Sequence, residues 1–128
     1  KLPPVPHWLE GRVEAAKRYD ALIEEHHLHG FMLRPQIAPN RRHVFNQYVV
    51  RVPTMHRDGL VQYLKDSGIG VEIYYPLCLH QQECFRFLGY RTGDFPASEE
   101  AARSVLALPM FPELSAEQQL RVVQTCAA

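Results

Sequence analysis

The sequence predicts an α+β fold, a small, mostly antiparallel sheet with helices packed on it. Three observations carry this. Runs of strand character are short, as at residues 44–52 (VFNQYVVRV) and 105–108 (VLAL). Between them, apolar residues recur every three or four positions, the spacing of one helix face. Prolines and glycines at Pro53, Gly68, Gly70 and Pro109 fall where these patterns stop. The 128 residues suit one domain, and 46% apolar with 22% charged residues is ordinary for a globular chain. Neither a P-loop, a dinucleotide fingerprint nor an internal repeat occurs.

The elements follow in order. Residues 1–8, with LPPVP at 2–6, read as an extended lead-in, because each proline removes a donor and restricts its predecessor. Residues 9–28 read as a helix. Val13, Ala16, Tyr19 and Ile23 form its apolar face between Glu14, Lys17, Arg18 and Glu24, and Gly30 is placed to end it. Residues 31–33 are a short run of strand character, and 35–42 a loop. The strongest strand covers 44–52, rich in β-branched and aromatic side chains and stopped by Pro53. Alternation puts Phe45, Gln47 and Val49 on one face and Asn46, Tyr48 and Val50 on the other. Neither face is purely apolar, so this is either an edge strand with a wet face or the carrier of an amide that reaches a site.

Thr54 is the expected cap of a helix over 57–66, with Leu60, Val61 and Leu64 inward and Gly59 weakening it by about 1 kcal/mol relative to Ala. Gly68 and Gly70 end it before a strand at 71–74. A loop at 76–80, a short helix at 81–87 and a turn between Gly89 and Gly93 follow. Asp94 is placed to cap a helix over 98–104, and 105–108 reads as a strand. Ser115 and Gln118 form a Ser-x-x-Gln capping box that opens the last helix, with Leu120 and Val123 inward.

Composition excludes several classes of function. Fourteen Lys plus Arg balance fourteen Asp plus Glu, so no charge excess favours a nucleic acid or an acidic membrane surface. No run approaches the roughly 18 apolar residues that span a bilayer, and KLPPVPHWLEGR carries no apolar core of signal-peptide length. Three cysteines without a dense framework point to free thiols in a cytoplasmic protein.

Few residues suggest chemistry on their own. His26 and His29 have plausible metal spacing, but nothing nearby completes four ligands, and imidazoles at a helix end interact well with its dipole. Cys78 and Cys84 flank His80 without a third group to orient a nucleophilic pair, so both are expected to be mostly buried thiols. The stretch 74–80 (YYPLCLH) differs, because it sets two phenols and an imidazole around a proline loop at a strand end. Tyr and His can donate hydrogen bonds to phosphate oxygens. Equally, one Tyr can pack in the core while His80 caps the next helix.

The strings HVFNQYVVRV, RDGLVQYLKDSGIGVEIYYPLCLHQQECFRFLGY and GDFPASEEAARSVLALPMFPELSAEQQLRVV occur in this order. Together they closely resemble the C-terminal region of the DegT/DnrJ/EryC1/StrS aminotransferases. That family's pattern has a Tyr-Val-hydrophobic-Arg strand, a Leu-x-x-x-Gly-Ile-Gly turn, a Tyr-Tyr-Pro-x-Pro-Leu-His-x-Gln loop and a Leu-Pro-x-Phe/Tyr-Pro-x-Leu ending. The opening KLP…RVEAAKRYDALI resembles the helix that leaves the large domain.

The resemblance implies one small C-terminal domain over 1–128, folded as in fold-type I pyridoxal-phosphate (PLP) enzymes, without the large PLP-binding domain. It implies a parent enzyme that moves an amino group, usually from glutamate, onto a nucleotide-linked keto-sugar. In that family the Schiff-base lysine and the aspartate on the pyridine nitrogen lie in the large domain. This sequence has only Lys1, Lys17 and Lys65. Lys17 and Lys65 fall on solvated helix sides, where an ammonium is a poor Schiff-base nucleophile. Catalytic, cofactor-binding and metal-binding residues are therefore not expected, and neither is PLP binding by this chain alone. The substrate side carries over: the resemblance places Tyr74, Tyr75 and His80 on the family's loop at the active-site mouth, and Gln82 on the loop's Gln. Cys78 stands where the family commonly has Pro, implying a less rigid loop, and Gly59 where a Glu is common. The nucleotide-sugar substrate is the implied partner. A free-standing binding or assembly module is the alternative. Either form leaves uncovered the surface that meets the large domain, which favours a homo-oligomer. Some relatives are dehydratases or regulators, separated from aminotransferases at the cofactor lysine.

Overall fold

The computed structural model describes residues 3–128. Four α-helices and two strands are assigned among them: α1 (Val5–Glu25), β1 (Tyr48–Arg51), α2 (Thr54–Asp66), α3 (Pro96–Ser104), β2 (Val105–Leu108) and α4 (Ala116–Ala127). Strands β1 and β2 pair antiparallel, with Tyr48 opposite Leu108 and Arg51 opposite Val105. Single antiparallel bridges flank the pair, Leu33 to Arg51 beside β1 and Glu72 to Ala107 beside β2. The expected α+β class and antiparallel sheet are thus found. The runs at 31–33 and 71–74 contribute one bridge each and are not full strands.

Helix α1 starts earlier than expected. It begins at Val5, so the extended lead-in over 1–8 is corrected; Lys1 and Leu2 lie outside the described residues. Pro4 occupies the cap position and Pro6 the first turn, where backbone N–H groups have no partner inside the helix and a proline loses nothing. The helix ends at Glu25, before Gly30. His27 turns left-handed, φ 57°, and a single 3-10 turn, Leu28–Gly30, follows. Ala15, Ala16, Tyr19 and Ile23 form the buried stripe.

The strand expected over 44–52 is shorter, because Phe45 adopts φ 47° and breaks the alternation. Phe45 consequently turns into the core beside Tyr48 and Val50 and does not face away from them. Thr54 does not cap α2. Pro53 holds the cap position, and the Thr54 hydroxyl donates to Glu100 Oε1 at 3.3 Å. Gly68 ends α2 with φ 76°. Its N–H reaches Lys65 O and the Ile69 N–H reaches Leu64 O, both at 2.9 Å, the paired bonds of a Schellman ending. The helix expected at 81–87 is two 3-10 segments, Leu79–Gln81 and Glu83–Leu88. Phe95 occupies the cap of α3, while the Asp94 carboxylate accepts from the Arg91 N–H at 2.8 Å. The Ser115–Gln118 capping box forms as expected. Inside α4 the buried residues are Gln119, Val122 and Val123, with Leu120 half-buried.

Helix α1 covers the core together with α2 and α4. Its approach to the segment after β2 is close at Gly11, where a Cβ would sit 2.7 Å from Pro112 O. Gly11→Ala is expected to lower stability by about 1–3 kcal/mol through this overlap. Gly59 in α2 has open space around its Cα, so Gly59→Ala is expected to raise stability by about 0.5–1 kcal/mol. Urea midpoints for the two variants check both, and equal shifts of the same sign would refute the packing argument.

Candidate functional site

Residues 74–82 leave the Glu72–Ala107 bridge and run beside α3. Cys78 adopts φ −63° and ψ 147°, the φ that a proline ring enforces. The chain thus takes here a backbone geometry that a proline would also accept, held without the ring that would enforce it. The N–H of Gln81 closes onto Cys78 O at 3.0 Å, and that of Gln82 onto Leu79 O at 3.1 Å.

Between this loop and α3 lies an open, mainly apolar groove of about 560 Å³, lined by Tyr75, Leu77, His80, Leu88, Tyr90 and Phe95 among others. His80 is its best-anchored polar residue. Its Nε2 lies 3.0 Å from Glu99 Oε1, with the two side chains only 7% and 5% exposed. Phe95 packs against the imidazole at 4.8 Å, and Tyr90 meets Phe95 edge-on at 5.0 Å. Glu99 Oε1 also accepts the Gly93 N–H at 2.7 Å, and Gly93 has the φ of 99° that favours glycine. The Gly93 N–H holds the Glu99 carboxyl below its ordinary range against the opposing effect of burial, and the His80 hydrogen bond acts in the same direction. With Nε2 donating to an ionised Glu99, the neutral His80 ring keeps Nδ1 as an acceptor.

Tyr75 is 72% exposed and Tyr74 53%. The structure therefore brings Tyr75 and His80 to one groove. Tyr74 and Gln82 do not line it, and the Gln82 amide oxygen lies 3.8 Å from Cys84 Sγ. His80 is committed to Glu99 and forms no bond to a thiol. Cys78 is buried but Cys84 is exposed, which corrects the expectation that both are mostly buried. Burial pushes the Cys126 thiol up to about 12. His29 meets Glu24 Oε2 at 3.3 Å, and no group of three or more His, Cys, Asp or Glu suited to a metal occurs among the described residues.

Glu99 and Gly93 were not legible as partners of His80. Nothing local separates Glu99 from Glu100, and the pairing spans 19 residues.

The lysines among the described residues do not fit a PLP Schiff base. The Lys17 ammonium pairs with Glu14 at 2.7 Å and its side chain is 68% exposed. Lys65 is exposed, Lys1 lies outside the described residues, and neither Lys17 nor Lys65 lines the groove.

The profile of the DegT/DnrJ/EryC1/StrS aminotransferase family matches residues 1–127. The chain belongs to this family. It is 44% identical over 127 residues to a pleiotropic regulatory protein of Geobacillus stearothermophilus, covering 99% of this chain and 33% of that one. It is 36% identical over 126 residues to the dTDP-3-amino-3,4,6-trideoxy-alpha-D-glucose transaminase of Micromonospora megalomicea subsp. nigra, covering 97% and 33%. Among solved structures, S. venezuelae DesV in complex with a ketimine intermediate superposes with a TM-score of 0.87 at 28% identity, over 97% of this chain and 32% of DesV. NtdA from Bacillus subtilis, which carries bound cofactor PMP, superposes with a TM-score of 0.76 at 25% identity, over 93% and 27%. The chain spans about a third of the length of the curated relatives it matches.

Because the folded Glu99 carboxyl titrates below its unfolded value of about 4.3, it contributes stability above that pH. The contribution is lost as pH falls through the folded value. Glu99→Gln is expected to flatten the acid limb of stability between about pH 5 and 3. Urea midpoints across that range check this, and an unchanged limb would refute the role of the pair. Among the thiols, Cys84 is expected to react first with Ellman's reagent at pH 8, and the half-buried Cys126, its thiol pushed up to about 12, much more slowly. Peptide mapping after limited labelling reads the order, and early labelling of Cys126 would contradict it.

Proposed function

We propose that this chain is the substrate-side C-terminal domain of a PLP-dependent aminotransferase that acts on nucleotide-linked keto-sugars, and that it is not catalytic alone. The observation that carries the reading is the family match over residues 1–127 in a chain one third the length of its relatives. Two features of the site support it. Tyr75 stands exposed at a groove in which His80 is anchored by Glu99. The lysines described are paired or solvated away from that groove. In this reading PLP, held by the remainder of the parent protein, supplies the amino-group chemistry. Tyr74, Tyr75 and Gln82 donate hydrogen bonds to oxygens of the nucleotide sugar. The Glu99–His80 pair holds the loop that presents them.

A second reading, a non-catalytic binding or assembly module, draws support from the 44% identity to a regulatory protein. Both readings place a homo-oligomer in the cytoplasm. Leu79 and Phe87 stand exposed near the groove with Tyr75, and apolar surface of this kind drives association. Among the described residues no helix is long and apolar enough to cross a membrane.

The deciding experiment takes the polypeptide made from its native locus. The first reading expects a mass of roughly three times 14.8 kDa, from the one-third coverage, and glutamate-dependent amination of a nucleotide keto-sugar. A mass of 14.8 kDa, or a full-length protein that transfers no amino group, removes that reading and leaves the module. Light scattering of the 128-residue chain is expected to give a dimer or larger species. A monomer throughout the micromolar range would defeat the association argument.

A further inference from the structure

Two long connections join the elements, and they are held in unlike ways. Residues 26–47, between α1 and β1, bury Leu28, Met32 and Phe45. They are bonded from several sides. Leu33 exchanges two backbone bonds with Arg51, Arg34 reaches Asp20 O at 3.2 Å, and Arg12 donates to Asn46 O at 2.8 Å. That connection is part of the core. Residues 74–94, between the Glu72–Ala107 bridge and the cap of α3, are not. Cys78 is their one buried residue, and Tyr75, Leu79 and Phe87 are among those that face solvent.

Every hydrogen bond that ties residues 74–94 to the rest of the described residues ends on one atom, Glu99 Oε1. It meets His80 Nε2 at 3.0 Å near one end of the segment and the Gly93 N–H at 2.7 Å near the other. A carboxylate oxygen has two lone pairs, so one atom can serve both donors. The segment's other bonds are internal. Gln81 N–H reaches Cys78 O, Phe85 N–H reaches Gln82 O, Gly89 N–H reaches Arg86 O, and the Gln81 amide reaches Thr92 Oγ1 at 3.3 Å. These internal bonds give the segment a shape that does not depend on α3. The apolar groove is the gap beneath it. Leu77, Leu88 and Tyr90 stand on one wall, and Ser98, Ala101 and Ala102 of α3 on the other. Few buried side chains and few bonds to the core mark a segment that opens at lower cost than the whole fold.

We propose that residues 74–94 are a strap that lifts off α3 as a unit, and that Glu99 Oε1 is its latch. Because one atom holds both ends, losing it frees both together. Ile73, packed against the core, and Phe95, in the cap position of α3, are the fixed points between which the strap moves. The open form widens the apolar groove and bares Cys78 and the side of α3 that carries Ala101 and Ala102. The device belongs to the fold and stands whether or not the parent protein transfers an amino group.

The test times iodoacetamide labelling of Cys78 by peptide mapping, in the 128-residue chain at a series of low urea concentrations. Hydrogen exchange of the Gly93 N–H, read by NMR, reports the other end of the strap. The exposed Cys84 supplies the unhindered labelling rate, from which the opening constant at Cys78 follows. Labelling of Cys78 is expected to depend on urea more weakly than global unfolding does, because opening exposes less surface. The opening constants at Cys78 and Gly93 are expected to agree within about twofold. Glu99→Gln keeps the oxygen and removes its charge, and is expected to raise both constants about tenfold. Gly11→Ala acts on α1, at the close approach to Pro112. It is expected to lower the urea midpoint and leave both constants unchanged, because α1 does not take part in the opening. Four results would each overturn the proposal. They are a urea slope at Cys78 equal to that of global unfolding, unequal constants at the two ends, equal acceleration by Gly11→Ala and Glu99→Gln, and no acceleration in a folded Glu99→Gln. Where Glu99→Gln does not fold, the wild-type slope and the Gly11→Ala comparison decide.

Discussion

The fold depends on the lock between α1 and α4 made by the fully buried Gln119. Two strands of four residues cannot bury a face by themselves, so the core exists only while helices are held over it. Gln119 Nε2 donates to Ala15 O at 2.7 Å, inside α1, and its Oε1 accepts from Arg18 Nε at 2.6 Å. Arg18 reaches on to Leu114 O at 2.9 Å, so the start of α4 and the middle of α1 share one polar joint. An amide buried without partners costs about 1–3 kcal/mol, and this one is satisfied in one relative placement of the helices. The Tyr19 hydroxyl adds a bond to Pro109 O at 3.0 Å, just past β2. The two ends of the sequence are therefore clasped over the sheet.

A second set of joints reaches the candidate site. Arg57 in α2 is buried and donates to Ala102 O at 2.9 Å and Val105 O at 3.1 Å. It fixes the end of α3 where β2 begins. Helix α3 in turn carries Glu99, which binds His80 and Gly93 together. A path of hydrogen bonds and packed elements thus runs from α2 through α3 to the loop that presents Tyr75. The loop's position is a property of the folded core, although its own side chains are largely exposed.

What the sequence disclosed and what it concealed divide along the same line. Elements whose signals are local were legible. Pro109 follows β2, Gly68 supplies the positive φ that ends α2, and Ser115 with Gln118 builds its capping box within one turn. Features set by distant partners were not. Thr54 has the chemistry of a cap, but its hydroxyl turns to Glu100 in α3. Residues 44–47 have the composition of a strand, but Arg12, more than thirty residues away, bonds the Phe45 and Asn46 carbonyls and stabilises a turn there. The prolines near the N-terminus misled for a different reason. They are helix breakers only in an interior, and here they occupy the first turn. Of the residues assigned by resemblance, Tyr75 and His80 meet at one groove, because the 3-10 turn at Leu79–Gln81 follows Tyr75 closely in the chain.

The charged groups of this chain near the site are mostly engaged within the fold. Its carboxylates near the site are consumed internally: Glu99 by His80 and Gly93, Asp94 by the Arg91 N–H. Its lysine on α1 is neutralised by Glu14 at the surface. No described lysine occupies the desolvated setting that makes an amine nucleophilic near neutral pH. What the surface around Tyr75 offers instead is hydrogen-bond donors beside an apolar wall, the combination that the proposed substrate-side role calls for. A family whose chemistry resides in a cofactor can divide labour in this way, because the protein's part is to hold and orient. The surface proposed for that role is built by interactions internal to these residues, the Arg12 bonds beneath Phe45 and the Glu99 bonds behind His80. Its shape is therefore set by contacts within this chain.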